Sequence, residues 1–174
     1  ICQAGGIVPM VEPEVLMDGD HDIDKCAEVT EWVLKEQFHQ LHYARIPLEG
    51  IILKPNMVIS GKKCAKQASA EEVAEKTLKV LKRCVPAAVP GIAFLSGGQS
   101  SVDATKHLSL MNASGMLPWK LTFSYGRALQ ADALKAWGGK AENVAAARKA
   151  FAHRAKMNAL AANGKWSDAV EKAA

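Results

Sequence analysis

The stretch Gly50-Ile51-Ile52-Leu53-Lys54-Pro55 contains a short apolar run that ends abruptly in a lysine and a proline. Three more apolar runs occur along the chain, at 7–11, 92–95 and 121–124. An apolar run without polar alternation is typical of a parallel strand that is covered on both faces. The four runs therefore predict four buried strands.

Amphipathic helices are predicted after each of these strands. Apolar residues recur at steps of three and four, and end signals such as the capping box at Ser69 and the glycines Gly138 and Gly139 mark the limits. The predicted helices lie at about 23–41, 69–81, 100–111, 127–137 and 144–163. Strand and helix thus alternate four times, which indicates a parallel sheet with right-handed crossovers.

Two α/β architectures fit this alternation, an open doubly wound sheet and a (β/α)8 barrel. Polar residues end the four runs, at Glu12, Lys54, Ser96 and Ser124. They favour the barrel, because barrels build their active sites at the carboxyl ends of their strands. Four units would be half of a barrel, so residues 1–174 are predicted to form one partial-barrel domain. Pro9 conflicts with an inner strand, since proline cannot donate to the ladder.

The composition excludes several classes of protein. The 174 residues carry 22 Lys and Arg against 18 Asp and Glu, a net charge of +4, and 49% of them are apolar. This composition is typical of a globular chain and excludes wholesale disorder. No apolar run approaches the ~20 residues of a membrane span. The small positive surplus does not indicate a nucleic-acid-binding protein, but it is compatible with anionic small molecules.

The cysteines and the chain ends bear on where the protein works. The cysteines, at positions 2, 26, 64 and 84, form no CxxC pair, so free thiols in a reducing compartment are the simplest interpretation. The chain starts at Ile1 without Met or a signal peptide, and it ends in a polar, alanine-rich segment. These ends suggest a fragment, and a targeting sequence could belong to the missing part.

Lys54 and Glu12 are the first candidates for chemistry. A strand-end lysine can simply extend its ammonium into water, or it can act as a Schiff-base nucleophile if its amine becomes neutral. Glu12 and Glu14 are two residues apart, so on a strand they would share a face. Glu12 could form a salt bridge to a strand-end cation, exchange protons with a substrate, or do both.

Two glycine motifs predict phosphate binding. Ser96-Gly97-Gly98 and Ser124-Tyr125-Gly126-Arg127 each follow a strand and precede a helix. Glycines let backbone N–H groups approach an oxyanion, and a helix N-terminus adds a favourable dipole. The second motif adds a cation. Barrel enzymes commonly bind phosphate after their seventh and eighth strands.

No metal site is predicted. The histidines, at 21, 39, 42, 107 and 153, have no metal-ligand spacing, and the aspartates at 18, 20, 22 and 24 lack the EF-hand pattern. The aspartate loop is interpreted as a solvated segment that caps the next helix. Trp32, Trp119 and Trp137 are interpreted as packing residues.

Four stretches resemble class I fructose-bisphosphate aldolases. Residues 6–14, Gly-Ile-Val-Pro-Met-Val-Glu-Pro-Glu, are similar to the family's fifth-strand signature, and residues 48–57, Leu-Glu-Gly-Ile-Ile-Leu-Lys-Pro-Asn-Met, to its Schiff-base lysine signature. Residues 94–100, Phe-Leu-Ser-Gly-Gly-Gln-Ser, and 123–130, Phe-Ser-Tyr-Gly-Arg-Ala-Leu-Gln, resemble its two phosphate loops. The stretches occur in the expected order, and the similarity runs from residue 1 to about 165.

The resemblance implies a (β/α)8 TIM barrel, of which this chain supplies about strands 5 to 8 and the C-terminal helices. It implies reversible aldol cleavage of fructose 1,6-bisphosphate to dihydroxyacetone phosphate and glyceraldehyde 3-phosphate, in glycolysis, gluconeogenesis or the Calvin cycle, with no metal or other cofactor. Lys54 would form the Schiff base and Glu12 would transfer protons. Glu14 would support these two residues. The phosphates would be held by Ser96, Gly97, Gly98, Ser124, Gly126 and Arg127.

The resemblance also shows departures from the family. The family's strands one to four have no counterpart in this sequence, and neither do an aspartate and lysines that the family uses. The family's C-terminal tail, which ends in tyrosine, has no counterpart either. Two hypotheses remain: the C-terminal half of an active aldolase, or a non-catalytic fragment that binds phosphosugars or partner proteins. The family further implies a phosphorylated sugar as ligand, a homotetramer when complete, and no nucleic-acid or membrane partner. It implies a cytoplasmic location, with the plastid stroma as the alternative.

Overall fold

The computed structural model describes residues 1–173, which form four short strands, six helices and three single-turn 3₁₀ helices. The strands are β1 (Met10–Val11), β2 (Ile52–Leu53), β3 (Gly91–Phe94) and β4 (Lys120–Phe123). The helices are α1 (Ile23–Tyr43), α2 (Ala70–Cys84), α3 (Ser101–Ala113), α4 (Arg127–Trp137), α5 (Val144–Ala161) and α6 (Asp168–Ala173). The predicted alternation is confirmed. The first strand is shorter than predicted, and α6 is a helix that the sequence patterns do not predict.

The order of the strands decides the architecture. The sheet runs β1-β2-β3-β4, every neighbouring pair is parallel, and the register places Met10 opposite Ile52 and Leu53 opposite Ile92. A doubly wound sheet reverses its strand order at a switch point. Right-handed crossovers that all advance in one direction instead leave every helix on the same side of the sheet, as in a barrel. The uninterrupted order therefore favours a barrel segment.

Capping side chains fix where three of the helices begin. Asp22 caps α1, Ser69 caps α2 and Ser100 caps α3, each by accepting the backbone N–H three residues further on. The cap predicted from the aspartate loop is confirmed, and so is the Ser69 half of the capping box. Gly138 ends α4 in the left-handed conformation, with φ 57°, which glycine adopts without steric cost.

The hydrophobic core lies between the sheet and the helices. Leu34 of α1, Leu53 of β2, Phe94 of β3, Leu108 of α3 and Met157 of α5 are fully buried. Burial of each such side chain contributes roughly 1.5–3 kcal/mol. This packing holds the strands in register and so fixes the positions of the residues that follow them. Within residues 1–173, no helix has the length and apolarity that crossing a membrane requires.

The predicted conflict at Pro9 is absent from the structure. Pro9 precedes β1, and its carbonyl accepts the Ile52 N–H at 3.0 Å. The residue therefore joins the ladder as an acceptor only, which is the one role that a proline can fill.

The interpretation of the three tryptophans is correct for one of them. Trp119 is buried, and its indole N–H donates to the Pro86 carbonyl at 3.0 Å. Trp32 and Trp137 are 61% and 42% exposed, so their interpretation as packing residues is wrong. They lie on outward positions of α1 and α4, where the helical period turns them away from the core.

Candidate active site at the strand ends

The carboxyl ends of the four strands meet at one edge of the sheet. The ladder continues one step beyond the strands: Lys54 N–H donates to Val11 at 2.7 Å, and Ser124 N–H donates to Phe94 at 2.8 Å. Lys54 and Ser124 are therefore held by backbone hydrogen bonds where the carboxyl ends of the strands meet, as the strand-end analysis predicts. This end of the sheet is called the rim below. Parallel pairing brings residues that are 70 positions apart in sequence to the same edge.

Lys54 and Glu12 form an ion pair at this rim. Lys54 Nζ lies 2.8 Å from Glu12 Oε1, and the two side chains are 19% and 48% exposed. The salt bridge considered in the sequence analysis therefore forms. It is also the geometry that proton exchange needs, because a carboxylate in direct contact can take the ammonium proton and return it.

Glu14 is placed differently from its prediction. β1 ends at Val11, so Glu12 and Glu14 follow the strand and do not share a strand face. Glu14 is exposed, and within residues 1–173 it makes no ion pair or side-chain hydrogen bond. The next residue anchors this segment, because Val15 N–H donates to the buried Asn56 side chain at 3.0 Å. The structure thus brings Glu12, but not Glu14, into contact with Lys54.

The first glycine motif forms a tight loop between β3 and α3. Ser96 is buried, and Gly97 and Gly98 have φ values of 47° and 74°, a conformation that favours glycine. A methyl group added to Gly98 would lie 2.5 Å from Lys62 Cε. The loop leads directly into α3, whose first N–H groups supply the positive end of the helix dipole.

The second glycine motif forms the corresponding loop between β4 and α4. Gly126 is the residue before α4, and Arg127 is the first residue of that helix. Both are exposed, and Ser124 is half-buried. Arg127 therefore presents a guanidinium group beside the free N–H groups of a helix N-terminus, an arrangement that suits a phosphate.

Several residues around the first loop are not singled out by the sequence analysis. Lys62 Nζ pairs with Asp18 at 3.1 Å, and its stem packs against Gly98. His107 and Gln99 hydrogen-bond to each other at 2.6 Å beneath the loop. These contacts join the loops after β1, β2 and β3, so only the folded chain reveals them. Of these residues, only Gln99 could have been found from the sequence, because it lies inside the first glycine motif.

The described residues offer no arrangement for a metal ion. Within residues 1–173, no three or more His, Cys, Asp or Glu side chains are grouped as metal ligands. The four cysteines are free thiols, in agreement with the sequence analysis.

The fold and the rim together define the chain as part of a (β/α)8 barrel. The family model for class-I fructose-bisphosphate aldolase, described as glycolytic, matches residues 1–174. The chain is 57% identical over 95% of its length to a probable class 1 fructose-bisphosphate aldolase of Xanthomonas campestris, and 56% identical over 95% to fructose-bisphosphate aldolase B of Gallus gallus. It belongs to the class-I fructose-bisphosphate aldolase family.

A solved structure of this family has the same fold. It is a ternary co-crystal structure of the Plasmodium falciparum aldolase with TRAP and a small-molecule inhibitor; it matches with a TM-score of 0.92, 50% identity and 95% coverage of this chain. The match spans 48% of that chain, and the two relatives above are covered over 50% and 46% of their lengths. The chain therefore spans about half the length of the relatives it matches. The predicted fold class, a partial TIM barrel, is confirmed.

Proposed function

We propose that this chain supplies the C-terminal half of an aldolase that reversibly cleaves fructose 1,6-bisphosphate through a Schiff base on Lys54. The observation that carries the proposal is the Lys54–Glu12 pair, 2.8 Å apart at the rim of a barrel segment and followed along the same edge by two phosphate-type loops. Residues 1–174 act in this proposal as one partial-barrel domain.

Formation of the Schiff base needs a neutral amine and three proton transfers. Glu12 accepts a proton from Lys54, and the amine of Lys54 then adds to the ketone carbon of the substrate. The former carbonyl oxygen takes one proton from the attacking nitrogen and a second from Glu12, and leaves as water. The product is a protonated imine between Lys54 and the sugar.

The protonated imine makes the carbon–carbon bond breakable. As the hydroxyl group on C4 gives its proton to a carboxylate base, which later returns a proton to the enamine, the electron pair of the C3–C4 bond moves into the imine. Glyceraldehyde 3-phosphate leaves and an enamine remains on Lys54. Protonation of that enamine and addition of water release dihydroxyacetone phosphate and restore the amine. The imine nitrogen is the electron sink, so the step needs no metal.

The glycine loops hold the substrate in this mechanism. Ser96, Gly97 and Gly98 on one side, and Ser124, Gly126 and Arg127 on the other, supply hydroxyl, backbone N–H and guanidinium donors to phosphate. Oriented binding of the phosphates keeps the ketone carbon within reach of Lys54, which lowers the entropic cost of the attack.

The proposal extends to the whole protein. Because the chain spans about half the length of its relatives, activity requires a completed barrel, either the whole natural protein or a hybrid that takes the other half from the Xanthomonas relative. We propose a homotetramer that works on phosphorylated sugars in glycolysis or gluconeogenesis. The cytoplasm is its proposed location, with the plastid stroma and the Calvin cycle as the alternative.

Borohydride trapping on the completed barrel tests the function. Reduction in the presence of fructose 1,6-bisphosphate should attach the sugar covalently to Lys54, as read by peptide mass spectrometry. Lys54→Arg should abolish both trapping and cleavage, because a guanidinium stays protonated and cannot form an imine. Lys149→Arg, an exposed change on α5, is the matched control and should leave both unchanged.

The same preparation tests the proposed absence of metal chemistry. Treatment with EDTA should leave cleavage intact. An adduct on another lysine would refute the role of Lys54. Absence of any cleavage by a folded, completed barrel would favour the non-catalytic fragment.

A further inference from the structure

A polar cavity of about 450 Å³ lies beside the first phosphate loop, between that loop, the segment after β2 and the start of α3. Its walls include Lys62, Gln67, Gln99 and His107. The mechanism above uses none of these side chains. Two of them, Gln99 and His107, are connected to the backbone of the phosphate loop.

A chain of hydrogen bonds runs from His107 to the loop. His107 Nδ1 lies 2.6 Å from Gln99 Oε1, and Gln99 Nε2 donates to the Ser96 carbonyl at 2.9 Å. Because the amide nitrogen of Gln99 is engaged by Ser96, its oxygen faces His107 and requires a donor there. His107 therefore carries its proton on Nδ1. Only 8% of His107 is exposed, and desolvation lowers its pKa to about 4, so the imidazole is neutral at pH 7.

The chain of hydrogen bonds fixes the direction of one peptide group. The Ser96 carbonyl accepts the Gln99 backbone N–H at 2.9 Å in addition to the Gln99 side chain. In a trans peptide, the carbonyl and the N–H point in opposite directions, and residues 1–173 contain no cis peptide bond. Two hydrogen bonds on the Ser96 carbonyl therefore turn the Gly97 N–H away from Gln99.

This restraint matters because glycine does little to fix the direction of its own peptide group. Gly97 and Gly98 are conformationally permissive, so rotation of the Ser96–Gly97 peptide costs little by itself. An N–H that binds phosphate well has to be held in place before the anion arrives, since ordering it on binding would reduce the affinity.

We propose that Gln99 and His107 are positioning residues that lock the Ser96–Gly97 peptide with its N–H directed at the substrate phosphate. This inference rests on the proposed function, because it assigns the loop to phosphate. Neither side chain touches the reacting atoms. Both act through the Ser96 carbonyl.

Four variants of the completed barrel test the proposal. Gln99→Met keeps the length of the side chain and removes both of its hydrogen bonds. His107→Leu removes the donor to Gln99, whereas His107→Gln retains a side-chain N–H that can reach it. Gln67→Met is the matched control: Gln67 lines the same cavity, but its amide donates to the carbonyls of Gly61 and Cys64 and not to the phosphate loop.

The expected result is a change in KM without a comparable change in kcat. Gln99→Met and His107→Leu should raise the KM for fructose 1,6-bisphosphate roughly 5- to 30-fold, the effect of misdirecting one hydrogen bond to an anion. Their kcat values should stay within about threefold, since the barrier after binding is unaltered. His107→Gln should recover most of the affinity, and Gln67→Met should match the parent.

Titration with inorganic phosphate separates this proposal from the proposed function. The Gly97 amide resonance in NMR should shift on binding of phosphate in the parent, and the apparent Kd should rise in Gln99→Met by the same factor as KM. This readout does not require turnover, so it remains valid if the barrel proves inactive. Equal losses in Gln67→Met, a lowered melting temperature with unchanged phosphate affinity, or failure of His107→Gln to restore binding would each overturn the proposal.

Discussion

The Glu12 carboxylate lies 2.8 Å from Lys54 Nζ and is about half exposed, so it can exchange protons with both the lysine and the solvent. Glu12→Gln in the completed barrel keeps the shape of the side chain and removes its ability to carry a proton. Formation and dehydration of the carbinolamine should then slow by about 10²–10⁴-fold, the usual contribution of general acid–base catalysis. Single-turnover kinetics with borohydride quenching would measure this rate.

The control for this experiment is Glu36→Gln, an exposed change on α1 far along the chain from the rim. It should turn over at the parent rate. A parental rate in Glu12→Gln would show that another group moves the proton. A carbinolamine that accumulates before the imine would support the assigned role.

Arg127 is the exposed cation at the start of α4. Arg127→Ala should weaken the binding of phosphorylated substrates much more than that of unphosphorylated fructose, because each charge-assisted hydrogen bond to phosphate contributes ~1.5–3 kcal/mol. Steady-state kinetics with both substrates would measure the difference. Arg148→Ala, which removes an exposed arginine on α5, is the matched control. Equal losses for both substrates would exclude Arg127 from the phosphate site.

At the scale of elements, the polar contacts of α6 centre on one carboxylate. Glu171 accepts hydrogen bonds from the almost fully buried Arg154, at 2.7 and 3.1 Å, and from the Trp166 indole at 2.7 Å, and it lies 3.0 Å from His153. Burial by itself would raise the pKa of Glu171, but these hydrogen bonds outweigh it and lower the pKa to about 2. The short helix is thus held by a paired charge together with Val170, which packs against the hydrophobic core.

The depressed pKa gives a stability that depends on pH. Because the ordinary value is 4.5, the ionised pair stabilises the fold above about pH 4.5, and this contribution is lost as the pH falls towards about 2. Glu171→Gln removes the nearer of the two carboxylates beside the buried Arg154 and leaves only Asp132, 3.7 Å from its Nε. At pH 7 it should lower the free energy of unfolding of the completed barrel by roughly 3–5 kcal/mol.

Urea denaturation across pH would test this contribution. The difference in stability between the parent and Glu171→Gln should shrink steadily between about pH 4.5 and pH 2, as the parent loses its charged pair. Glu142→Gln, an exposed change before α5, should show no such difference at any pH. A difference between parent and Glu171→Gln that is independent of pH would contradict the assignment.

At the scale of the whole molecule, the sheet has two edge strands, β1 and β4. Ile7 and Val8, which precede β1, and Met10 within it are 65%, 60% and 46% exposed. Unpaired edge strands and exposed apolar side chains favour association with other chains. A few hundred Å² of uncovered apolar surface correspond to several kcal/mol at roughly 25 cal/mol per Å², which is comparable to the stability of a whole domain.

The 174-residue polypeptide expressed by itself should therefore be oligomeric or poorly soluble. Size-exclusion chromatography with light scattering would measure its mass, and calorimetry its unfolding. Co-expression with the other half of the Xanthomonas relative should restore a soluble complex, because that half would cover the same edges. A soluble monomer with a sharp, cooperative melt would contradict the expectation.

The order of residues along the chain was enough to predict the local elements and the positions of the polar residues at the strand ends. Apolar runs predicted the strands, and apolar residues at steps of three and four predicted five of the helices. Ser69 and Ser100 mark helix starts through their side-chain hydroxyl groups, and Gly138 marks a helix end because it has no side chain. Lys54 and the two glycine motifs could be found because each directly follows a strand, and strand ends converge in parallel sheets. These features depend on interactions within a few residues, which the order of amino acids specifies directly.

How those elements meet became visible in the folded chain alone. It selected the sequential strand order over a doubly wound one, paired Glu12 rather than Glu14 with Lys54, and exposed Trp32 and Trp137. It also connected His107 through Gln99 to the glycine loop after β3, and placed Glu171 against Arg154. Each of these outcomes depends on distances between residues on different elements, which are set by packing of the whole core, and no local pattern of residues encodes such distances.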